Sequence, residues 1–533
     1  MSKGYLSLVL HAHLPFVRHP EHEKFLEELW LFEAISETYL PLLRVFERLE
    51  LDGVPFKVTL SVSPTLTAML EDELLQERYL RHLDGMIELG DKEVRRTAED
   101  SRFSGTARMY RDLFAENRRD FVDKYGKRII KGFDFFQKKG RIELITTSAT
   151  HAYLPLYEPY PETLRAQVQL AVQSHYRVFG IPPKGFWLPE LGFVPGLEEY
   201  LKEAGLRYFF VATHGVLFAD DKPKNGVYGP LVCPNGLAAF GRDLASANAV
   251  WSSDEGYPGD VAYRDFYRDI GFDLPLDYIG PHIHEGDLRI YTGFKYYAIT
   301  GRTDDKKPYE PDAALRKTRE HAENFIYNRL KQIKRLEEFM DRPPVFTCPY
   351  NAELFGHWWF EGPSWIESLF RKLQGTAEIE AIFPSDYLKN HPDNQVAAPA
   401  FSSWGNRGYS EVWLDGTNDW IYRHTHRAVE RMIELVERYP NEKGLKARAL
   451  NQAAREVLLS QASDWPFIMH TGTTVTYASR RLKEHLGNFT RIYDALSSGA
   501  VGTEWLTRLE RKNNLFPDMD YRIFRKREDG AKS

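Results

Sequence analysis

The stretch Gly185-Phe186-Trp187-Leu188-Pro189-Glu190 predicts a short buried strand that ends on an acidic side chain. Its apolar centre favours burial on both faces, and Pro189 ends the strand because proline has no backbone N–H to donate. In a sheet or barrel of parallel strands, the loops that follow the carboxyl ends of the strands converge and build the functional site. We therefore predict that Glu190 acts on a substrate. The structural alternative is that Glu190 caps a helix expected over residues 193–204.

Similar apolar runs recur through the first 395 residues and alternate with helical patterns. The expected strands cover residues 5–14, 54–63, 141–147, 206–213, 345–350 and 380–383. The expected helices cover residues 24–51, with a bend at Pro41, a charged outer layer at 66–140, and a surface helix at 312–341. Strands that alternate with helices, followed by helices alone, predict an α/β barrel with a helical appendix.

Changes in composition along the chain predict three regions. Residues 1–395 form a catalytic barrel, which is interrupted at residues 214–263 by a loop-rich inserted subdomain with many Gly, Pro, Asp and Asn residues. Residues 396–533 form a C-terminal helical domain. Two runs in this last region, 428–436 and 450–458, carry apolar residues at the spacing of one helix face, which predicts packing against the barrel.

The composition of the 533 residues excludes some partners and favours others. The net charge is −6 and the chain has no block of five or more lysines and arginines, so neither nucleic acid nor an anionic membrane is an expected partner. Aromatic residues make up 14%, with 11 Trp and 29 Tyr. Flat aromatic rings cover the apolar faces of sugars while their polar edges bond hydroxyls, so this excess suits a carbohydrate-binding cleft.

The sequence also predicts a cytoplasmic location. The first ten residues form a short apolar run that His11 and His13 break, which favours a first strand over a signal peptide. No apolar stretch approaches 18 residues, so no membrane span is expected. The chain has two cysteines, Cys233 and Cys348, which exclude a disulfide framework.

His11 and His13 lie two apart on the first predicted strand, so both imidazoles point to the same side. Paired imidazoles suit zinc, but a zinc site needs further ligands. The chain offers His151 without an obvious carboxylate beside it. We therefore expect interior histidines that bond to substrate or to an acid, with no metal and no other cofactor. A zinc-dependent hydrolase or deacetylase built on these three histidines is the alternative.

Residues 351–359 form the most specific local pattern, since they follow a strand and place Glu353, His357 and two tryptophans within nine positions. The structural alternative is that both tryptophans belong to the core and that His357 bonds a backbone carbonyl. Structural explanations are also open for Trp404 and Trp413, as core residues, and for Asp464, as a helix cap.

Four motifs together make the chain resemble the glycoside hydrolase family 57 enzymes, in particular their branching-enzyme and α-amylase group. They are His11-Ala12-His13-Leu14-Pro15, Gly185 to Glu190 as quoted above, Glu353-Leu354-Phe355-Gly356-His357-Trp358-Trp359, and the stretch from Trp404 through Trp413 to Asn418-Asp419-Trp420. The motifs span nearly the whole chain. The resemblance implies an incomplete (β/α)7 barrel with a small inserted domain and a C-terminal helical domain.

The resemblance also implies roles for individual residues. Glu190 becomes the nucleophile, and the residues that touch the glucan are Arg242, Gly259, Trp404 and Asp464. The residues expected elsewhere in the cleft are His11, His13, His151, Trp251, Trp413 and His357. Among these, Trp251, Trp404 and Trp413 are expected to shape the sugar subsites by stacking.

Asn351 departs from the family pattern at the position of the general acid/base, which in the family is an aspartate between Pro-Tyr and Ala-Glu-Leu-Phe-Gly. Retaining catalysis needs two carboxyl groups about 5 to 5.5 Å apart. An amide cannot transfer the proton, and losing this help lowers the rate by about 10² to 10⁴-fold, so the chain is expected to be nearly inert. Glu353 would lie about 6 to 7 Å further along the strand, too far to substitute.

The retained motifs around Asn351 favour a deliberate exchange of Asp for Asn that traps a bound glucan, with a naturally inactive homologue as the alternative. The predicted parent activity is that of a 1,4-α-glucan branching enzyme acting on amylose, starch or glycogen. The alternatives are an α-amylase of the same family and a catalytically dead glucan-binding homologue. The connection between Thr213 and Arg242 is short, with Tyr228 as its only tyrosine, which predicts incomplete exclusion of water and a hydrolytic side activity.

Overall fold

A computed structural model describes residues 2–252, 256–283 and 288–527, and its centre is a mostly parallel sheet. The strands are buried because nearly every side chain on them faces either the interior or the surrounding helices. Their bounds are β1 Gly4–Ala12, β2 Val58–Val62, β3 Ile142–Thr147, β4 Gly185–Trp187, β5 Tyr208–Val211, β6 Leu231–Val232, β7 Ala238–Gly241, β8 Val345–Asn351 and β9 Ile379–Ala381.

Seven of these strands follow one another in parallel, in the order β7, β5, β4, β3, β2, β1 and β8. The two ends of this series meet at a single parallel bridge between Arg242 and Thr347, where the Asp243 N–H donates to the Thr347 carbonyl at 2.9 Å. Strand β6 is antiparallel to β7, and β9 pairs with the start of β1. The expected incomplete (β/α)7 barrel is therefore confirmed, with its weak seam between β7 and β8.

Helices cover the outside of the barrel in the intervals between strands. Those of the first 395 residues are α1 Leu29–Glu33, α2 Leu40–Leu51, α3 Pro64–Leu70, α4 Glu73–Arg96, α5 Ser104–Arg119, α6 Ile130–Lys138, α7 Pro161–Phe179, α8 Leu197–Glu203, α9 Thr213–Leu217, α10 Leu244–Trp251, α11 Ile270–Asp273, α12 Leu276–Ile279, α13 Pro311–Leu336, α14 Gly362–Gln374 and α15 Pro384–Asn390. Alternation of strands and helices confirms the fold class predicted from the sequence.

A π-helical turn, Ala34–Tyr39, lies between α1 and α2, directly before the position where the sequence predicts a bend at Pro41. Pro41 lacks the N–H that a regular helix would donate to the carbonyl of Glu37, so widening the preceding turn removes the conflict. The turn packs directly on the loop after β8, where a Cβ added to Gly356 would lie 1.8 Å from the Glu37 carbonyl oxygen. Pro41 therefore shapes a contact close to the end of β8.

The expected inserted subdomain at residues 214–263 differs from the structure in one respect. Strand β7 lies inside this range and pairs with β5 as part of the barrel. Strand β7 has only four residues, and a pattern of that length does not distinguish a strand from the surrounding loops in the sequence. Within the described ranges, the long irregular stretch instead falls between α10 and α13. The boundaries 1–395 and 396–533 remain predictions.

The C-terminal region is helical, as predicted, with α16 Trp420–Arg438, α17 Gly444–Ser460, α18 Asp464–Thr471, α19 Val475–Ser498 and α20 Thr503–Lys512. It docks on the barrel through Ala462, which forms an antiparallel bridge with Ala152, and through the Ser463 N–H, which donates to the His151 carbonyl at 2.9 Å. This docking brings the start of α18 to the carboxyl end of the sheet.

Two other expectations can be compared with the described residues. Cys233 and Cys348 are both free and buried, in agreement with the absence of a disulfide framework. None of the helices in the described ranges combines the length and the apolar character needed to cross a bilayer.

Candidate active site

Glu190 lies one turn beyond β4 in a backbone conformation that non-glycine residues rarely adopt. Its φ is +61°, and the next residue, Leu191, has φ +50°. Left-handed conformations of this kind carry a strain of about 1 to 3 kcal/mol each and concentrate at functional sites. Hydrogen bonds hold the strained turn, since the Trp404 N–H donates to the Glu190 carbonyl at 3.0 Å and Leu191 N–H donates to Leu188 at 2.9 Å.

The carboxylate of Glu190 is held by two donors from the C-terminal part of the chain. The indole N–H of Trp404 donates to Oε2 at 2.8 Å, and the Ser463 hydroxyl donates to Oε1 at 3.0 Å. Burial raises the pKa of Glu190 to about 6, a rise that the Trp404 hydrogen bond opposes and the nearby Asp464 carboxylate reinforces. Glu190 is therefore ionised at neutral pH and carries the electron pair that a nucleophile needs.

A chain of hydrogen bonds reaches Glu190 from the interior of the barrel. His151 Nδ1 lies 2.8 Å from the Ser463 hydroxyl, His151 Nε2 lies 2.9 Å from His11 Nε2, and His11 Nδ1 lies 2.9 Å from the Ser61 hydroxyl. His151 also has a left-handed φ of +58°. The chain joins strands β1, β2 and β3 to the nucleophile.

The hydrogen bond between Ser463 and Glu190 determines which nitrogen atoms in this series of hydrogen bonds carry a proton. Ionised Glu190 can only accept, so Ser463 donates to it and accepts from His151 Nδ1, which leaves His151 Nε2 to accept from His11. Burial, together with the charge of His13, lowers the pKa of His11 well below its usual range. Burial and the other two histidines do the same for His151. Both rings are therefore neutral, as this direction of donation requires.

His13 points to the same side as His11, as its spacing on β1 predicts, but belongs to a separate set of contacts. Its Nε2 lies 3.1 Å from Oδ2 of Asp464, and its Nδ1 lies 2.9 Å from the Ser63 hydroxyl. Its backbone N–H donates to Oε1 of Glu353 at 3.1 Å. His13 thus joins the beginning of α18 to the loop after β8.

Aromatic and cationic side chains surround the Glu190 carboxylate. The Trp187 ring stacks on His11 with centroids 4.5 Å apart, and Trp404 packs edge-on against Trp187 at 5.3 Å. Trp251 meets Trp404 at 5.8 Å and is 39% exposed. The Arg242 guanidinium lies 5.5 Å from the centre of the Trp404 ring. Two of the residues predicted for the cleft, Trp251 and Arg242, are thus beside Trp404.

Asn351 is the last residue of β8 and pairs in register with His11 of β1. Neighbouring strands lie about 4.8 Å apart, so the side chain at position 351 begins next to the histidine chain that ends on Glu190. The predicted partner of the nucleophile therefore stands at the same end of the barrel. Its amide offers hydrogen bonds and no transferable proton.

Glu353 is engaged elsewhere, which agrees with the prediction that it does not substitute for an acid at 351. Its Oε1 accepts from the Tyr39 hydroxyl at 2.5 Å in addition to the His13 N–H. Burial raises the pKa of Glu353. The carboxylate therefore fixes the β8 loop against the π-helical turn and β1.

Three predicted residues form no hydrogen bond with the Glu190 carboxylate, although Trp404 packs against the buried cluster that contains Trp413. Trp413 is 1% exposed and stacks on Tyr153 at 4.6 Å, so it has no open face for a sugar, contrary to the expectation of stacking. The reason is the return of the 403–420 loop, which places Trp413 beneath Gly405. Gly259 belongs to a turn, Tyr257–Gly259, that packs against α10. His357 Nδ1 bonds Glu37 Oε2 at 2.8 Å in a second cluster.

The second cluster favours the charged form of His357. Burial disfavours the imidazolium, but the hydrogen bond and charge of Glu37 outweigh burial and raise the pKa of His357. Arg264 lies 4.0 Å from the other Glu37 oxygen, so two cations share this carboxylate. The structural alternative in which His357 bonds a backbone carbonyl is therefore not the arrangement observed.

Three side chains in the described residues offer ligand atoms within 4.8 Å of one another, namely His13, His151 and Asp464. The two imidazoles stack with centroids 3.7 Å apart and planes 10° from parallel. Because a nitrogen lone pair lies in the ring plane, stacked rings direct their lone pairs side by side and away from a common point. This donor set does not fit tetrahedral zinc without a ring rotation. The expectation of a metal-free site remains a prediction.

Sequence reasoning missed several polar side chains that complete the site, chiefly Ser61, Ser63, Tyr39 and Ser463. One signal was available for the first two, because Ser61 and Ser63 repeat on β2 the two-residue spacing of His11 and His13 on β1. Paired polar positions at the ends of adjacent strands face one another. Ser463 directly precedes Asp464, but its contact with Glu190 spans 273 residues and leaves no local pattern.

Comparison with known proteins assigns most of the chain to one family. Residues 7–400 match the model of "Glycosyl hydrolase family 57", and residues 424–524 match that of "1,4-alpha-glucan branching enzyme, C-terminal". A 1,4-alpha-glucan branching enzyme from Thermococcus kodakarensis is 32% identical over 96% of this chain and 77% of the relative.

Solved structures agree with this assignment. The alpha-amylase AmyC from Thermotoga maritima is 42% identical, with a TM-score of 0.93 over 98% of this chain and 99% of that one. A branching enzyme of the same family from Pyrococcus horikoshii is 29% identical, with a TM-score of 0.88 over 99% of this chain and 97% of that one. The chain therefore belongs to glycosyl hydrolase family 57.

Proposed function

We propose that this chain is a retaining 1,4-α-glucan branching enzyme with hydrolytic side activity, in a form inactivated at its proton-transfer position, Asn351. The observation that carries the proposal is the Glu190 carboxylate, held by Trp404 and Ser463 at the same end of the barrel as position 351. Support also comes from the match of residues 424–524 to the C-terminal branching-enzyme model and from the 32% identical relative of that activity.

The proposed reaction has two steps. Glu190 attacks C1 of a glucose unit, the bond from C1 to the O4 of the next unit breaks, and the leaving oxygen takes a proton from the acid at position 351. In the second step a glucan 6-hydroxyl attacks C1, the ester to Glu190 breaks, and the hydroxyl proton returns to position 351. With Asn351 neither proton transfer has a donor or acceptor, so we expect both steps to be slow.

Water reaching the intermediate gives hydrolysis in place of transfer, and the position of Tyr228 supports a hydrolytic contribution. The Tyr228 carbonyl accepts from the N–H of Val345, which is the first residue of β8, and its ring packs on Phe346. Asn351 is the last residue of the same strand and lies about 20 Å from Val345, at 3.3 Å per residue. Tyr228 therefore lies toward the opposite mouth and cannot cover the intermediate in this conformation.

An α-amylase is the second candidate. It is favoured by the 42% identity and TM-score of 0.93 to an alpha-amylase, which exceed the values for the branching enzymes described above. The two reactions share Glu190 and the covalent intermediate and differ only in the acceptor. A glucan-binding homologue without catalysis is the third candidate and rests on Asn351 alone.

The deciding experiment compares the chain with its Asn351→Asp variant on amylose. Products are separated before and after treatment with a debranching enzyme, and reducing ends are counted. We expect the variant to be faster by about 10² to 10⁴-fold and to form 1,6-linkages together with new reducing ends. New reducing ends without 1,6-linkages would favour the amylase, and an inactive variant would favour the binding homologue.

Two finer statements follow from this proposal and remain part of it. The substrates would be amylose, starch and glycogen, all of which present α-1,4 chains to the Trp251 and Trp404 rings. A cytoplasmic location is kept from the sequence, where it rests on composition and on the expected first strand. Fractionation of the producing cells with an antibody against the chain tests the location.

A further inference from the structure

A row of partly exposed aromatic rings lies outside the Glu190 group, on the segment between α10 and α13 and on the loop after β8. We call this row the aromatic face, and its members are Phe266, Tyr267, Phe272, Tyr291 and Trp358. The exposed fractions are 54% for Trp358, 71% for Tyr267, 46% for Phe272 and 36% for Tyr291. None of these residues was singled out for sugar contact by the sequence, although Trp358 belongs to the motif after β8.

The rings of the aromatic face touch one another. Phe266 is central, with Trp358 stacked on it at 4.4 Å and Tyr291 at 5.7 Å. Phe272 extends the row beyond Tyr291 at 5.0 Å. The buried ammonium of Lys295 lies 4.5 Å from the Phe266 ring centre and 4.2 Å from that of Tyr291. A buried cation behind two rings holds them in place, so the surface is ordered before anything binds to it.

Hydrogen bonds connect the aromatic face to the candidate active site. The Trp358 N–H donates to the Glu353 carbonyl at 3.3 Å, and the Glu353 carboxylate accepts from the His13 N–H at 3.1 Å. Trp358 and Asn351 belong to one segment of eight residues. The group at position 351 meets the leaving and the attacking oxygen, so a surface continuous with this segment lies on the leaving-group and acceptor side of the cleft.

A small recess with a buried carboxyl lies beside Tyr291. Tyr291 lines a recess together with Glu33 and Glu37. Glu37 is bonded to His357, whereas the Glu33 carboxyl forms no hydrogen bond with any residue in the described ranges. Burial raises the pKa of Glu33 to about 7. The recess holds about 30 Å³, which is room for a water but not for a pyranose, so the sugar contacts are expected from the exposed rings themselves.

We infer that the aromatic face binds an α-1,4-glucan chain on the acceptor side, through the rings of Phe266, Tyr291 and Trp358. The inference rests on the proposed function for the choice of ligand. It adds a binding surface beyond the subsites around Trp251 and Trp404. It also gives a reason why transfer competes with hydrolysis in a site that lacks a tyrosine cover, because a chain held on the face raises the local concentration of 6-hydroxyl groups.

Calorimetry on the chain as it stands tests binding without turnover. The ligands are maltotriose and a maltooligosaccharide of about ten units, and the variants are Trp358→Ala and Tyr291→Ala. Each variant is expected to bind the long ligand about tenfold more weakly, the contribution typical of one aromatic contact, and to bind maltotriose unchanged. The control is Phe339→Ala, which removes a ring that is 78% exposed outside the aromatic face.

Several outcomes would overturn the inference. Long-ligand affinity that stays unchanged in both variants contradicts it, as does an equal loss for maltotriose. A change in oligomeric state by light scattering, with unchanged glucan affinity, would assign the face to a second copy of the chain. Because both side chains contact neighbouring rings, the melting temperature of each variant is measured, and the 71% exposed Tyr267 supplies a further variant, Tyr267→Ala, should either be destabilised.

Turnover separates this inference from the proposed function. In the Asn351→Asp background, Trp358→Ala is expected to lower the ratio of 1,6-linkages to new reducing ends severalfold. An Asn351→Asp enzyme that forms no 1,6-linkages would refute branching while leaving the binding result intact. An unchanged ratio in Trp358→Ala, together with normal branching, would refute the acceptor role alone.

Discussion

Trp404 donates two hydrogen bonds to Glu190, one from its indole N–H to Oε2 at 2.8 Å and one from its backbone N–H to the Glu190 carbonyl at 3.0 Å. The first orients the carboxylate and stabilises its charge, and the second holds the left-handed turn on which the residue sits. A loop from the C-terminal part of the chain thus sets both the position and the ionisation of the nucleophile. The loop is itself tied to the barrel by the bridge between Phe193 and Ser402.

Replacing Trp404 by phenylalanine is expected to raise the pKa of Glu190 above its value of about 6, because the indole hydrogen bond is one of the interactions that lower it. The nucleophile must be ionised, so the acidic limb of the profile of kcat/KM against pH should move to higher pH. The rate at neutral pH should fall by about 10- to 100-fold, the range for a hydrogen bond to a charged group. The profile is measured in the Asn351→Asp background, and an acidic limb that does not move would contradict the assignment.

The chain as it stands should accumulate a covalent adduct when given a donor whose leaving group needs no proton. With α-maltosyl fluoride, the bond from C1 to fluorine breaks, fluoride departs as the anion, and C1 bonds to Glu190. Water and acceptors then attack slowly because Asn351 cannot take their proton. Mass spectrometry of the intact chain and of its peptides should place one maltosyl group on Glu190.

Glu190→Gln provides the matched control for this trapping experiment, since the amide cannot form the ester. An adduct on another carboxylate, such as Asp464, would refute the nucleophile assignment. A chain that stays unlabelled would also refute the assignment, provided that binding of the maltosyl donor is demonstrated independently.

Gly356→Ala should disrupt the loop after β8. Gly356 has φ +117°, and an added Cβ would lie 1.8 Å from the Glu37 carbonyl oxygen. Strain and overlap together predict a loss of about 2 to 4 kcal/mol in the free energy of unfolding, measured by denaturant titration. The control is Gly487→Ala on α19, which meets no atom within 4 Å and should stabilise the chain by about 0.5 to 1 kcal/mol. Equal effects of the two changes would contradict the proposed close contact.

Metal analysis should find no stoichiometric zinc in the purified chain. The parallel rings of His13 and His151 do not converge on one point, and His13 is already 3.1 Å from Asp464. Treatment of the Asn351→Asp enzyme with a chelator should leave its rate unchanged. One tightly held ion per chain, with activity lost on its removal, would revive the zinc-dependent alternative.

Local patterns predicted the elements that position the site. The strand ending before Glu190 was predicted from six residues, and its observed span Gly185–Trp187 falls inside them. The common direction of His11 and His13 followed from strand periodicity alone. These predictions are confirmed because strand and helix periodicity depends on neighbours in sequence.

Contacts between distant parts of the chain were beyond such patterns. The sequence placed Trp413 with Trp404 as a sugar-stacking ring, yet the path of one loop leaves Trp404 at the carboxylate and buries Trp413 on Tyr153. Strand β7 was taken for part of an insertion because four residues carry too little periodicity to identify a barrel strand.

The sequence by itself determined the family, the fold class, the nucleophile candidate and the amide at position 351, since each depends on residue identity and local spacing. Only the tertiary structure decided which side chains hold the Glu190 carboxylate, where Tyr228 lies, and that exposed rings continue from Trp358. The physical reason is that these contacts depend on how the barrel closes between Arg242 and Thr347 and on how the helical region docks at Ser463. Both depend on packing between residues that are far apart in the sequence.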